Sequence, residues 1–593
     1  MIRINSETLI DIENNFRVSA GPGAGKTYWL TEHIKNVLHY SKRLGKTRKI
    51  TCITYTNIAV EKILSRLGTT ANQVEVSTIH SFLYKHIVKP YTSFLVADYG
   101  LNVAEMDGHD EPSVSLKRAV RWIENHPNAT NLKHPYNINQ LTKLENNKAA
   151  LKSWLLSLSY KFDDSNNLIL IGDREKAYYW VEEYGKPTRM YLNKKCLDAL
   201  ELDLIGYKKL YWQDGVIDHD DVLFFSYQLI KKYPFVIQVL QSKFPYFFVD
   251  EFQDTNPIQV AILRLIGKKE TVVGIIGDEA QSIYGFHCAE PTQFHSFTLP
   301  CMLDYEMADN RRSTNQIIEV LNSVRMDIKQ KKYRNENGEK PAIIVGEMIA
   351  ALRKAKVMSN NEPLYSLSRK NITSNAMKKE VEGTSFNDKL IEELSFKDKP
   401  SNNNSYRSKV VIACLKAIEF ARESKFKDAI KELEQIFKDK NDKNKGKKEA
   451  LRYMCLLLKK YNDFKDKSMF DFYTIVKSEI KLDISKLISG AAKTFYEGHS
   501  YQQLALCVKI TEDVSRHKTI HKAKGDEFEN VLVVLKEESD LEFLLSPNLK
   551  AKEEQRINYV AVSRAINRLF INIPSLSEND LSKLNCLFTI VKV

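Results

Sequence analysis

Phe16 to Ala20 form a short apolar run that breaks into Ala20-Gly21-Pro22-Gly23-Ala24-Gly25-Lys26-Thr27, and helical spacing follows from Thr27 to about His39. A strand that passes through a Gly-rich turn directly into a helix commits the chain to a parallel sheet covered by helices. The turn fits the P-loop pattern, with Ala in place of the first Gly. Its composition has a chemical reason. Glycines let backbone N–H groups turn inward around phosphate oxygens, and the helix N-terminus adds a favourable dipole. Lys26 can neutralise β- and γ-phosphates, and the Thr27 hydroxyl can ligate Mg²⁺.

The same alternation continues along the chain. Ile50 to Tyr55, Val74 to Thr78, Tyr246 to Val249 and Thr271 to Ile276 are short apolar runs, and the last two each end near an acidic residue. Strand signals resume at Thr519, Val531 to Leu535 and Leu569 to Ile573. Two long interruptions separate them. Residues 89–215 are polar, Asn-rich and mostly helical in pattern. Residues 371–499 hold Ser401-Asn402-Asn403-Asn404-Ser405, a helical stretch from Val410 to Arg422 and a Lys-rich run from Lys438 to Lys448. That run reads better as a solvated loop than as a phosphate site.

These signals give an α/β fold of two modules, each with one mostly helical insertion. The expected boundaries are 1–88 with 216–300 for the first module and 89–215 for its insertion. The second module takes 301–370 with 500–593, and its insertion 371–499. A chain of 593 residues exceeds one hydrophobic core.

Eight single cysteines with no C-x-x-C pair argue against zinc or a disulfide framework and read as buried apolar residues. No apolar run is long enough for a membrane span, and the N-terminus lacks a signal-peptide core, which points to the cytosol. The net charge of +13 favours a polyanionic partner.

A P-loop needs an acidic partner, and Phe247-Phe248-Val249-Asp250-Glu251 supplies one. Asp250 at a strand end suits Mg²⁺. Glu251, one residue on, can reach a water in line with the γ-phosphate, which makes it the candidate general base.

Taken together the motifs resemble the UvrD/Rep-type superfamily 1A DNA helicases. Asp250-Glu251-Phe252-Gln253-Asp254-Thr255 matches the family's second motif nearly letter for letter. Thr54-Tyr55-Thr56-Asn57 resembles T-F-T-N, and Thr78-Ile79-His80-Ser81-Phe82 resembles T-F-H-S-F. Gly277-Asp278-Glu279-Ala280-Gln281-Ser282-Ile283-Tyr284-Gly285-Phe286 resembles the motif containing Q-S-I-Y-G-W, and Asn310-Arg311-Arg312-Ser313-Thr314 resembles N-Y-R-S-T. Leu367-Ser368-Arg369-Lys370-Asn371 resembles a shorter motif of the second core domain. Thr519 to Phe528 resembles T-L-H-x-A-K-G-L-E-F, and Tyr559 to Ala565 resembles Y-V-x-x-T-R-A. All follow family order.

The resemblance implies two RecA-like domains, 1A and 2A, with insertions 1B and 2B, and ATP with Mg²⁺ as cofactors. It implies 3′→5′ movement on single-stranded DNA, with unwinding of tailed duplex. Gln281 would sense the γ-phosphate. Arg312 and Arg564 would reach it from the second core domain. Tyr55, Tyr284 and Phe286 would be stacking platforms for bases. Thr56, His80, Thr519 and His521 would contact phosphates or sugars. Asp218 and Asp221 look like the point where the chain re-enters 1A, and a capped helix start explains them equally well.

The chain also departs from the family. No Gln occurs before Gln73 to read adenine. The Tyr that stacks on adenine in N-Y-R-S-T is Arg311, whose planar guanidinium can stack on a base instead. W-R-G becomes Phe286-His287-Cys288. The shortened, Lys-rich second insertion leaves another reading open. Compact UvrD-like proteins accompany OLD-family TOPRIM nucleases in Gabija-type antiphage systems, where ATP turnover senses nucleic acid or nucleotide. RNA is not distinguished from DNA, since base stacking is indifferent to the sugar.

Overall fold

The computed structural model describes residues 1–593 apart from 133–140, 142–144, 184–185, 286–289, 384–385, 399–406, 438–442, 481, 483 and 511–514. The chain divides into two compact units. The first is Met1–Arg311 with Asp327–Tyr333; the second is Arg312–Met326 with Arg334–Val593.

The first unit is built on seven parallel strands: β1 Ile2–Ile4, β2 Phe16–Ala20, β3 Ile50–Thr54, β4 Val74–Thr78, β5 Tyr246–Val249, β6 Val272–Gly277 and β7 Leu303–Met307. Their order is β1-β7-β2-β6-β5-β3-β4. Central strands such as Tyr246-Phe247-Phe248-Val249 are buried on both faces, which is why they read as unbroken apolar runs. Strands β2, β4 and β5 span the residues expected from the apolar pattern.

Strands β1 and β7 escaped that pattern. Ile-Arg-Ile and Leu-Asp-Tyr-Glu-Met interleave charges, as strands toward a sheet edge do. Because β7 pairs with both β1 and β2, the first unit continues to Arg311 and does not stop at residue 300.

Register fixes the functional edge. Val249 lies beside Ile53 on one side and Ile275 on the other, and Ser19 lies beside Gly277. The residues after β2, β3, β5 and β6 therefore emerge together at the carboxyl edge, where α/β sheets bind ligands.

The insertion at 89–215 is largely helical, but it also holds two antiparallel hairpins the sequence reading lacked. They are Ser159–Phe162 with Leu168–Ile171, and Tyr178–Glu183 with Lys186–Tyr191. Its buried Trp122, Trp154 and Trp212 join one hydrophobic cluster with Phe82, Phe225 and Phe247, so insertion and sheet share a core. Asp218 caps the helix His219–Lys232 in a capping box with Asp221. Buried Lys208 pairs with both carboxylates, and Tyr160 donates to Asp221. That satisfies the capped-start reading of these aspartates.

The second unit has six parallel strands: β8 Ala342–Val345, β9 Leu364–Ser368, β10 His517–Thr519, β11 Phe528–Val534, β12 Ala565–Ile573 and β13 Thr589–Lys592. The order is β10-β9-β11-β12-β8-β13. Its insertion forms a separate helical core around Leu394, Leu415, Phe472 and Tyr501, so the helical part runs past the expected boundary at residue 499 to Ile510. At its base Arg407 holds Asp398, which also accepts from the Tyr496 hydroxyl at 3.1 Å. Each unit is thus α/β with a parallel sheet, the RecA-like pattern. The Ser/Asn run at 401–405 and the first half of the Lys-rich run lie outside the described residues.

Cys52, Cys196 and Cys414 are buried as expected, but Cys301, Cys455 and Cys586 are exposed, a correction to the reading of all eight as core residues. Those three sit at turns or on outward helix faces, where a small side chain meets no packing demand. Among the described residues, no helix is long and apolar enough to cross a membrane.

Candidate functional site

The P-loop follows β2 directly. Gly23 and Gly25 take φ of +71° and +82°, left-handed values that L side chains rarely adopt. Gly21 is needed for space as well, since a Cβ there would lie 2.5 Å from Nε2 of Gln330. That amide donates to the Pro22 carbonyl at 2.6 Å and holds the loop from behind. Lys26 turns back over the loop and donates to the Ala20 carbonyl at 3.3 Å. Thr27 follows in the first turn of the helix Lys26–Tyr40.

Asp250 and Glu251 leave β5 beside this loop. The Asp250 amide donates to the Ile53 carbonyl at 2.8 Å, and its carboxylate accepts from the Glu251 amide at 3.0 Å. Burial pushes the Asp250 carboxyl up to about 7; the Glu251 charge adds to this and the Lys26 ammonium opposes it. Glu251 sits at φ +53°, strained for a non-glycine residue.

Its carboxylate accepts from Gln253 Nε2 at 2.5 Å, and the Gln253 carbonyl oxygen Oε1 accepts from the Asp278 amide at 3.0 Å. Gln281, nearly fully buried, donates to the Asp278 carboxylate. One chain of hydrogen bonds therefore runs from Glu251 through Gln253 and Asp278 to Gln281. Gln253 and Asp278 stood inside quoted motifs without a role; their function as connectors comes from the adjacency of β5 and β6.

Oxygen donors at Thr27 and Asp250, beside a loop shaped for phosphates, fit a Mg²⁺ that keeps its remaining positions for phosphate and water. The raised Asp250 carboxyl fits this too, because a nearby cation would favour its charged form.

The raised value has a thermodynamic consequence. A carboxyl whose folded value lies above its unfolded one costs stability as pH rises from the unfolded value, near 4, to the folded one, near 7. Above about 7 the cost is fully present. Asp250→Asn is therefore expected to raise the melting temperature of the nucleotide-free protein at pH 8 and to change it little near pH 4. Scanning calorimetry at the two pH values checks it, and an equal shift at both would refute the buried charge.

Arg311 lies in the first unit against the P-loop. Its amide donates to the Gly23 carbonyl at 3.0 Å and its guanidinium to Glu7 at 2.9 Å. Its Cζ sits 3.7 Å from the centroid of the Tyr333 ring. The sequence named Arg311 but gave no sign of Tyr333 or Glu7. An aromatic is thus present, one layer behind the arginine.

Of the expected strand contacts, Tyr55 and Tyr284 stack on each other, with centroids 4.6 Å apart and planes 24° apart. They form one double-layered stack. Phe286 lies outside the described residues. Thr56 caps the helix Asn57–Leu67 through the Ala59 amide. The His80 ring lies 5.4 Å from that of His219 and 6.5 Å from that of His109.

In the second unit Thr519 ends β10 and is buried, and half-buried His521 follows in the adjoining turn. Arg312 pairs with Glu527 and donates to the Ser563 carbonyl at 2.9 Å. Arg564 is buried, donating to the carbonyls of Val560 (3.2 Å) and Asp526 (3.4 Å) and to Ser563 Oγ (3.0 Å). Both arginines gather at the C-terminal end of the helix Glu553–Val562.

Comparison with known proteins agrees with this arrangement. The family model of the UvrD/REP helicase N-terminal domain matches residues 4–302, and that of the UvrD-like helicase C-terminal domain matches 307–575. The chain is 30% identical over 348 residues to the Gabija protein GajB of Bacillus cereus, covering 54% of this chain and 48% of that protein. It is 27% identical to the ATP-dependent DNA helicase srs2 of Schizosaccharomyces pombe, over 57% of this chain and 36% of that one. It is 24% identical to the ATP-dependent DNA helicase PcrA of Staphylococcus aureus, over 95% and 82%. The match spans about half or less of the first two relatives' own length.

Proposed function

Because the chain belongs to the UvrD/REP helicase family, we propose that it is an ATP-dependent DNA helicase and translocase that moves 3′→5′ on single-stranded DNA. The observation that carries this reading is the hydrogen-bonded chain from Glu251 to Gln281 beside the P-loop. It joins the candidate base to the γ-phosphate sensor within one sheet edge, and Gln281 leads by three residues to the Tyr284 platform. Strand occupancy and phosphate chemistry thus share a short segment.

In this reading Lys26 and the loop amides hold the phosphates, while Thr27 and Asp250 hold Mg²⁺, which supplies charge neutralisation when bound. Glu251 takes the proton of the attacking water. Gln281 orients that water, and Arg312 and Arg564 supply positive charge to the transferring phosphoryl group. Arg311, backed by Tyr333, offers a flat cationic surface to the base. Thr56, His80, Thr519 and His521 contact the strand backbone. The cytoplasm is the compartment where such a substrate occurs.

Hydrolysis measured with single-stranded DNA, RNA and duplex DNA, alongside strand separation on tailed duplexes, tests the reading. Stimulation by single strands and opening of tailed duplexes are expected; turnover indifferent to every nucleic acid overturns it. Binding should also be strongly salt-dependent, because each neutralised phosphate of a single strand contributes a slope of about 0.7 in log K against log salt. Affinity that stays flat between low and physiological salt would remove the nucleic-acid assignment.

A second reading rests on the likeness to the Gabija protein GajB. In that reading this chain is an ATPase that senses nucleic acid or nucleotide in antiphage defence, partnered by an OLD-family TOPRIM nuclease. Co-purification with such a nuclease, together with hydrolysis but no duplex opening, would favour it.

A further inference from the structure

The helix Glu553–Val562 has a charged contact at each end. At its C-terminal end lie Arg564 and Arg312, the first folded back onto its own helix through the Val560 carbonyl and Ser563 Oγ. In its first turn, Glu554 receives Nε and Nη2 of Arg369 at 2.9 and 2.8 Å, a bidentate pair. Arg369 immediately follows β9, and the register places Ser368 beside Thr519 of β10. The Ile520 amide donates to the Ser368 carbonyl at 2.9 Å, so Arg369 and His521 issue from neighbouring strands at one carboxyl edge. The Arg369 guanidinium holds the Glu554 carboxyl below the usual carboxylate range. A crevice of about 190 Å³ opens beside the pair, with Lys370 and Lys536 on its wall.

Glu554 thus occupies a guanidinium at the edge where a strand contact of the second unit stands. Both partners are exposed, Arg369 by 47% and Glu554 by 66%. An exposed pair contributes little to stability, so a phosphate oxygen can replace the carboxylate at small cost. A helix of ten residues is about 15 Å of stiff rod. Such a rod links its first turn to its last, where Arg564 donates to the Val560 carbonyl and to Ser563 Oγ.

We propose that Glu554 is a positioning residue. It holds Arg369 while no strand is bound, gives it up to a backbone phosphate of the strand, and through its helix couples that exchange to release of Arg564. The inference rests on the reading of the chain as a strand-stimulated ATPase. It adds a built-in brake on turnover away from nucleic acid.

The test uses the full-length protein, with ATP hydrolysis titrated by an oligothymidylate at several salt concentrations. Glu554→Gln keeps size and removes charge. Its strand-free hydrolysis is expected to rise a few-fold, with the strand-saturated rate within twofold of wild type. Its strand affinity should rise several-fold and its salt slope steepen, since the strand phosphate no longer competes with a carboxylate for Arg369. Arg369→Gln should show the same rise in strand-free hydrolysis but weaker strand binding and a shallower slope. Glu554→Asp should restore the wild-type ratio. A plain surface ion pair would move none of these ratios. A strand-responsive wild type whose Glu554→Gln variant keeps both ratio and slope overturns this inference alone. A wild type indifferent to strand overturns the parent reading and this one with it.

Discussion

Glu251→Gln is expected to abolish nucleotide hydrolysis while leaving nucleotide affinity within a few-fold of wild type. The substitution keeps the size and backbone of Glu251, and the new amide can still accept from Gln253 through its oxygen. The chain of hydrogen bonds to Asp278 and Gln281 therefore survives, and only the proton acceptor is lost. General bases are worth about 10²–10⁴ in rate. Lys26→Ala should abolish hydrolysis for a different reason. It removes positive charge from the phosphates, so nucleotide binding falls as well. The ammonium also offsets the buried charge at Asp250, which makes its loss doubly felt. Paired measurements of turnover and nucleotide binding by calorimetry separate the cases. Equal loss of binding in both variants would remove Glu251 from the role of base.

Arg564→Ala is expected to lower strand-saturated hydrolysis by about 10³–10⁵, the effect of losing an arginine finger in nucleotide hydrolases. Strand affinity without nucleotide should hardly change, because Arg564 is buried and donates to its own helix end and to the Asp526 carbonyl. Nucleotide should still bind, since Lys26 and the loop remain. The check combines steady-state hydrolysis at saturating strand with strand affinity in nucleotide-free buffer. Hydrolysis within a few-fold of wild type, or a collapse of strand affinity instead, would end the finger assignment. Because Arg564 is buried, Arg564→Lys serves as a control that keeps charge and bulk but loses the fork geometry.

The phosphate loop and the acidic strand end were legible in the sequence because each is local. A few consecutive residues carry the strand, the turn and the chemistry, and neighbours in sequence stay neighbours in space. What stayed hidden was created by strand order. Tyr333 comes to lie under Arg311 only because its segment returns to the first unit after residues 312–326 have left it. Gln253 meets Asp278 only because β5 and β6 are adjacent. Tyr55 and Tyr284 were each named as platforms, but their mutual stacking depends on loops from different strands. The two hairpins near 160 and 180 were missed for another reason. The strands of the first are half-solvated and only four residues long, so their alternation is too weak to separate from the helical pattern around them. The Arg369–Glu554 pair joins residues far apart in sequence, and neither spacing nor composition hints at it.

The left-handed backbone of Glu251 sets heat resistance against turnover. A long side chain at φ +53° costs the fold about 1 kcal/mol or more, while asparagine tolerates that region far better. Glu251→Asn should therefore melt a degree or more above wild type while turning over no nucleotide, as a thermal scan would show. Selection for thermostability alone would replace this residue. Its presence in a strained conformation means that lineages that keep the glutamate do so against a standing thermodynamic pull. A descendant freed from hydrolysis would be expected to lose it early, and to gain stability as it did.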